Sequence, residues 1–102
     1  MTDYISIDPV LDRWAERQGF AWQREYKGYD VRSISWPLAG TESIQIWVDP
    51  PASGKAIVNV ARNCSLDSGR RTTKTAHSVD TLETGLDQAL ATAMEWRAEA
   101  QA

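Results

Sequence analysis

The sequence predicts an α+β domain with a helix, an antiparallel meander of four or five strands, and a long C-terminal helix. Three observations lead to this fold class. Two segments have apolar residues at helical spacing, a central run alternates apolar and polar residues, and the strands are joined by short Gly- or Pro-containing connections. A chain of 102 residues has the size of one domain, so we expect a single unit over 1–102 with flexible ends at about 1–6 and 98–102.

The first helix is predicted over Asp8 to Gly19. Asp8 can accept hydrogen bonds from the free amides of a first helical turn, and Pro9 suits the first helical position. Gly19 can take the left-handed conformation that ends a helix. The apolar residues of this segment form one stripe, which needs a partner surface, and they are Val10, Leu11, Trp14 and Ala15.

The clearest strand is predicted over Ser43 to Asp49, because apolar and polar side chains alternate there as in a half-buried antiparallel strand. A hairpin precedes it, with Lys27-Gly28 as the tight turn between a strand that ends at Tyr26 and a second strand. The other predicted strands are Tyr29 to Trp36, Lys55 to Arg62 and Arg70 to His77. The last of these is polar on both faces, which is typical of a sheet edge.

The C-terminal helix is predicted to begin near Asp80, with Glu83 three residues later in a pattern similar to a capping box. Its apolar residues at helical spacing are Leu82, Leu86, Ala89, Leu90, Ala93 and Trp96. Gly85 lies inside this helix, where the missing side chain would allow close approach to the sheet. Because each helix has one apolar stripe, we expect both to pack on the same face of the sheet and to leave the opposite face partly open.

Composition argues against several classes of function. Eleven Lys and Arg against 14 Asp and Glu give a net charge of −3, whereas nonspecific binding to nucleic acid needs a basic excess. The single Cys64 cannot form an internal disulfide, and the sequence shows neither a signal peptide nor an apolar span, so we expect a cytoplasmic protein that does not enter a membrane.

No constellation of residues indicates catalysis or metal binding. His77 is the only histidine, and no nucleophile signature surrounds Cys64. One Cys and one His cannot complete a structural zinc site, and the phosphate-binding and dinucleotide-binding glycine patterns are absent. We therefore expect no catalytic residue, no metal and no cofactor.

Binding residues are predicted in two places. If the apolar residues of Ser43 to Asp49 face the core, Trp47 lies on the second face of the sheet beside Ile57 and Asn59. Trp47 is then either an exposed anchor for a partner or a residue covered by a loop or tail. The basic residues Arg70, Arg71 and Lys74 either protect a sheet edge or contact an anion.

These features favour a non-enzymatic protein-interaction module, for example an acidic inhibitor of the immunity, antitoxin or anti-defence type. One alternative is a single-stranded nucleic-acid or small-ligand binding domain that uses the open sheet face, and another is an enzyme with a cryptic site near His77. The acidic residues of the last helix, which are Asp80, Glu83, Asp87, Glu95 and Glu99, would face either solvent or a basic partner. A homodimer is a further alternative.

Overall fold

The computed structural model describes residues 4–38, 40, 42–63 and 71–101, and it shows an α+β fold. In chain order the elements are α1 (Asp8–Gln18), β1 (Gln23–Tyr26), β2 (Tyr29–Pro37), β3 (Ser43–Val48), β4 (Ala56–Asn63), β5 (Arg71–His77) and α2 (Leu82–Gln101), with a 3-10 turn at Val79–Thr81 before α2. The five strands form one antiparallel sheet in the order β1-β2-β3-β4-β5. The predicted fold class is therefore confirmed.

One face of the sheet carries both helices and the apolar core. Ile46 of β3, Leu11 of α1 and Leu86 of α2 have no exposed surface and belong to the same cluster of buried side chains. Trp14 of α1 is also fully buried, and its indole N–H donates a hydrogen bond to Asp87 of α2 over 2.9 Å. The helices therefore contact each other as well as the sheet, as the two apolar stripes predict.

Four of the five tryptophans pack in or against this core, as expected from the sequence. Trp14, Trp22 and Trp96 are buried, and the half-buried Trp36 packs against the cluster. The rings of Trp14 and Trp22 lie 5.8 Å apart at a tilt of 36°. The fifth, Trp47, lies outside the cluster.

The two predicted helix caps are wrong in detail. The N-cap position of α1 is held by Ile7, which offers no side-chain cap, and Asp8 is the first helical residue, whose carboxylate binds the guanidinium of Arg32 from β2. Asp80 lies inside the 3-10 turn, and the carboxylate of Glu83 accepts hydrogen bonds from Arg13 and from a second arginine of α1. The carboxylates of Asp8 and Glu83 therefore bind arginines and not helix amides.

The hairpin between β1 and β2 confirms the predicted turn. Lys27 has a φ of 52° and Gly28 a φ of 83°, so both central residues are left-handed, as in the type I′ turns that join two twisted strands. The amide of Gly28 also donates to the carboxylate of Glu25 over 2.7 Å. This short connection fixes the register of β1 against β2.

Gly85 allows a close approach, and the group that approaches is the imidazole of His77 at the end of β5. A Cβ atom built on Gly85 would lie 2.4 Å from His77 Nε2. The same nitrogen lies 2.7 Å from the hydroxyl of Thr75. Gly85 is therefore a contact surface for a ring, which explains a glycine inside a 20-residue helix.

At the N-terminal end, Tyr4 is only 4% exposed and its hydroxyl donates to the carbonyl of Val48 over 2.9 Å. At the other end, α2 continues to Gln101. That the ends at about 1–6 and 98–102 are flexible stays a prediction.

Candidate functional site on the open face of the sheet

The face of the sheet opposite the helices, called here the open face, carries one row of side chains that crosses all five strands. Residues that pair directly across antiparallel strands project to the same face. The pairs in register are Gln23 with Ser33, Ser33 with Trp47, Trp47 with Asn59, and Asn59 with Lys74. We call these five residues the central row, and Trp47 is its middle member.

Trp47 is half-buried. This lies between the two predicted alternatives, an exposed anchor and a residue covered by a loop or tail. It alternates along β3 with Ile46 and Val48, which belong to the core, so its side chain projects to the open face. Ile57 of β4 is also half-buried and lies on the same face by the same alternation. A half-buried Trp has a fixed position and still offers ring surface to a partner.

Asn59 supports the strand beneath Trp47. Its side chain is 1% exposed, and its amide nitrogen lies 3.3 Å from the carbonyl of Trp47 and 3.5 Å from that of Ile57. No described residue donates a hydrogen bond to its Oδ1 atom. Asn59 therefore positions β3 and is itself poorly placed to meet a large partner.

A groove of about 680 Å³ adjoins Trp47 on the β1 to β3 side of the open face. Its lining mixes aromatic, hydroxyl, amide and carboxylate groups and includes Tyr26, Asp30, Ser33, Gln45, Trp47 and Asp49. We call this concavity the Trp47 groove. Its volume falls in the range of pockets that hold a small molecule or a few side chains.

The positive charge in the groove lining is already neutralised. The guanidinium of Arg32 binds both carboxylate oxygens of Asp8 at 2.8 and 3.0 Å and one oxygen of Asp30 at 3.0 Å. These hydrogen bonds, those to Asp8 above all, raise the pKa of Arg32 further above its usual range. Arg32 also lies 4.3 Å above the ring of Tyr4, so it joins the N-terminal segment, α1 and β2.

Tyr4 contributes to the groove lining as a neutral phenol. Burial, the largest cause, raises the pKa of Tyr4 from 10 to about 12, and the nearby Arg32 opposes the shift. The carboxylates of Asp49, Asp30 and Asp8 raise the pKa of Tyr4 further. The phenol therefore stays protonated at neutral pH and keeps its hydrogen bond to the carbonyl of Val48.

Two of the basic residues predicted as a binding patch lie on opposite faces of the sheet. Lys74 lies on the open face in the central row, whereas Arg71 lies on the helix side, where its guanidinium is 4.3 Å from the ring of Trp96 and 2.8 Å from the carboxylate of Glu99. Arg70 lies outside the described residues. The predicted role of β5 as a sheet edge agrees with its position at the end of the strand order.

Most acids of α2 also have internal partners. Glu83 binds Arg13 and Arg17 of α1, while Asp87 accepts the indole hydrogen bond described above and Glu99 pairs with Arg71. These contacts hold α2 to α1 and to β5. These internal contacts leave α2 fewer free carboxylates for a basic partner, whereas Asp49 in the groove has no ion pair among the described residues.

Of the two residues considered for catalysis, His77 and Cys64, the structure describes only His77. The ring of His77 lies against α2, and neither the Trp47 groove nor a smaller hollow of about 210 Å³ beside β5 includes it in its lining. Cys64 falls outside the described residues. Within 4–38, 40, 42–63 and 71–101, no three His, Cys, Asp or Glu side chains come close enough to hold a metal ion.

Sequence reasoning found Trp47 and its neighbours on β4 but missed most of the groove. The alternation of Ser43 to Asp49 places Asp49 on the face of Trp47, but the predicted binding residues include neither Asp49 nor Asp30 nor Tyr4. The alternation along Tyr29 to Trp36 would have placed Ser33 opposite Trp47, since the register follows from the short connection. The approach of Tyr4 could not be found in this way, because it depends on where the N-terminal segment crosses the sheet.

The chain matches no protein-family model, no curated protein and no solved structure. Among the residues that the structure describes, no helix is both long and apolar enough to cross a membrane.

Proposed function

We propose that this chain is a non-enzymatic protein-interaction module that binds its partner through the open face of the sheet. The observation that carries the proposal is the half-buried Trp47 at the middle of the central row, beside a groove of about 680 Å³. Tryptophan is enriched at the centres of protein interfaces, because it buries a large area with few rotamers to freeze.

The proposal includes an inhibitory role in the cytoplasm, of the immunity, antitoxin or anti-defence type. A net charge of −3 supports it, since an acidic protein associates faster with a basic partner and suppresses binding to acidic ones. The single Cys64 agrees with a reducing compartment. In this role the partner supplies the activity and this chain blocks it.

The nucleic-acid alternative receives less support from the arrangement of charges. A single-stranded binder combines an aromatic platform with a basic groove that follows the phosphates. Here the groove beside Trp47 is lined by Asp30 and Asp49, and Arg32, which also lines it, is already bound by carboxylates. The groove therefore suits a basic protein better than a nucleic acid.

A site-specific photo-crosslinker tests the proposal in the natural host. We place it at Gln45, which lines the groove, and at the exposed Ala98 on α2 as the matched control. We expect one dominant protein adduct from Gln45, none from Ala98, and loss of the adduct when Trp47→Ser is added. Identical adducts from both positions, or an adduct destroyed by nuclease, would contradict the proposal.

A second variant separates binding from the cryptic-enzyme alternative. His77 lies on the helix side against Gly85, away from the open face. His77→Gln should leave the Gln45 adduct unchanged. Loss of the adduct in a folded His77→Gln protein would show that the open face is not the docking surface.

A further inference from the structure

We propose that the Trp47 groove receives an Arg or Lys side chain from an extended basic segment of the partner protein. This inference rests on the proposed function and adds the chemistry of the partner. Three features of the groove carry it: unpaired carboxylate, aromatic ring surface and polar side chains along a strand face.

Carboxylate exceeds cation in the groove lining. Among the described residues that line it, Asp30, Asp49 and Arg32 are charged, so two negative charges stand against one positive charge. Arg32 is further bound by Asp8 from outside the lining, which leaves it no free hydrogen-bonding edge for a ligand carboxylate. Among the described residues none forms an ion pair with Asp49, which is half-buried. An incoming cation would therefore complete the charge balance.

Aromatic rings around the groove already bind cations. Lys27 Nζ lies 5.2 Å from the centre of the Tyr26 ring, and the guanidinium of Arg32 lies 4.3 Å from that of Tyr4. No described cation lies over Trp47, the best ring type for this interaction. The face of Trp47 that borders the groove is thus the surface left for a cation from outside.

The rest of the lining suits an extended segment. Ser35 and Ser43 line the groove together with Gln45, and they lie on adjacent antiparallel strands. Their hydroxyl and amide groups can donate to and accept from a backbone laid across β2 and β3. A segment with a basic side chain at one position and small polar ones beside it fits this lining.

Titration of the isotopically labelled chain with a synthetic peptide tests the inference. The probe is a nine-residue peptide of alternating Arg and Ser, and the control replaces each Arg by citrulline, which keeps the shape and removes the charge. At low salt we expect saturable shifts of the Trp47 indole signal and of the Ser33 and Gln45 amides. The citrulline peptide should bind at least about tenfold more weakly, since the charge supplies the contact.

Variants locate the contact. Trp47→Ala should weaken binding of the Arg peptide by about tenfold and Asp49→Asn by about fivefold, while both keep well-dispersed amide spectra. Glu95→Gln removes the same charge from the exposed surface of α2 and should leave the affinity within about twofold. Raising NaCl to 0.3 M should weaken binding of the wild-type chain, because the Debye length falls below about 8 Å.

Three results would overturn the inference: equal affinity for the citrulline peptide, shifts confined to α2, or an unchanged affinity in Asp49→Asn. If Gln45 gives a protein adduct but the Arg peptide does not bind, the open face is a docking surface and the inference of a cationic partner is wrong. Absence of both would reject the proposed function as well.

Discussion

Gly85 presents a conflict between helix propensity and packing that can be measured. In the interior of α2, Gly85→Ala should stabilise the helix by up to about 1 kcal/mol, because alanine loses less backbone entropy on folding. A Cβ at this position would meet His77 Nε2 at 2.4 Å, about 1 Å inside the ordinary contact distance of 3.4 Å. Overpacking of this kind costs about 1–3 kcal/mol, so we expect a net loss of about 1 kcal/mol.

The sign should reverse when the ring is removed. In a His77→Ala background the obstructing atoms are gone, and Gly85→Ala should raise the free energy of unfolding by up to about 1 kcal/mol. The cycle consists of the wild type, Gly85→Ala, His77→Ala and the double variant, each unfolded in urea and followed by circular dichroism. It gives the coupling energy between positions 77 and 85, which we expect near 2 kcal/mol. A stabilising Gly85→Ala in the wild-type background, or a coupling near zero, would refute the contact between His77 and α2.

Three further stability predictions follow from the core and from the buried charge. Asp8→Ala should lower the free energy of unfolding by about 2–3 kcal/mol, because it leaves Arg32, which is 5% exposed, without its bidentate partner. The control Asp12→Ala removes an exposed carboxylate and should cost under about 1 kcal/mol in the same urea assay. The pKa of Tyr4 is about 12 in the folded protein against 10 in the unfolded chain. The stability that the neutral phenol contributes is therefore complete below pH 10 and is lost as the pH rises towards 12. Tyr4→Phe should remove that alkaline loss of stability, and parallel pH profiles of the two proteins would contradict the assignment. Ile46→Ala should cost about 2–5 kcal/mol through the cavity it leaves in a fully buried site, and a thermal midpoint unchanged from wild type would show that β3 is not central to the core.

Strand periodicity was enough to place Trp47. The alternation of Ser43 to Asp49 assigns Ile46 to the core and Trp47 to the opposite face, since a strand's side chains alternate strictly. The same reasoning placed Ile57 and Asn59 beside it, and the register agrees for Asn59. It did not show that Asn59 would be buried, because burial depends on neighbours from other strands.

The alternation of side chains along a strand separates two residues of the predicted basic patch. Arg71 and Lys74 are three residues apart, so in a strand they project to opposite faces. Treating them as one patch used nearness in sequence instead of strand parity. Arg71 accordingly joins Trp96 and Glu99 on the helix side, while Lys74 joins the central row.

The sequence by itself determined the order of the helices and strands, the hairpin at Lys27-Gly28, the apolar core and the face on which Trp47 lies, because periodicity and turn chemistry are local properties. Only the tertiary structure decided which carboxylate each arginine binds and that Tyr4 crosses to Val48 beside the groove. These contacts join residues distant in the chain, such as Asp8 with Arg32 and Tyr4 with Val48, so their formation depends on how the segments pack and not on any local pattern. The open face was therefore predictable as a surface, whereas its acidic groove was not.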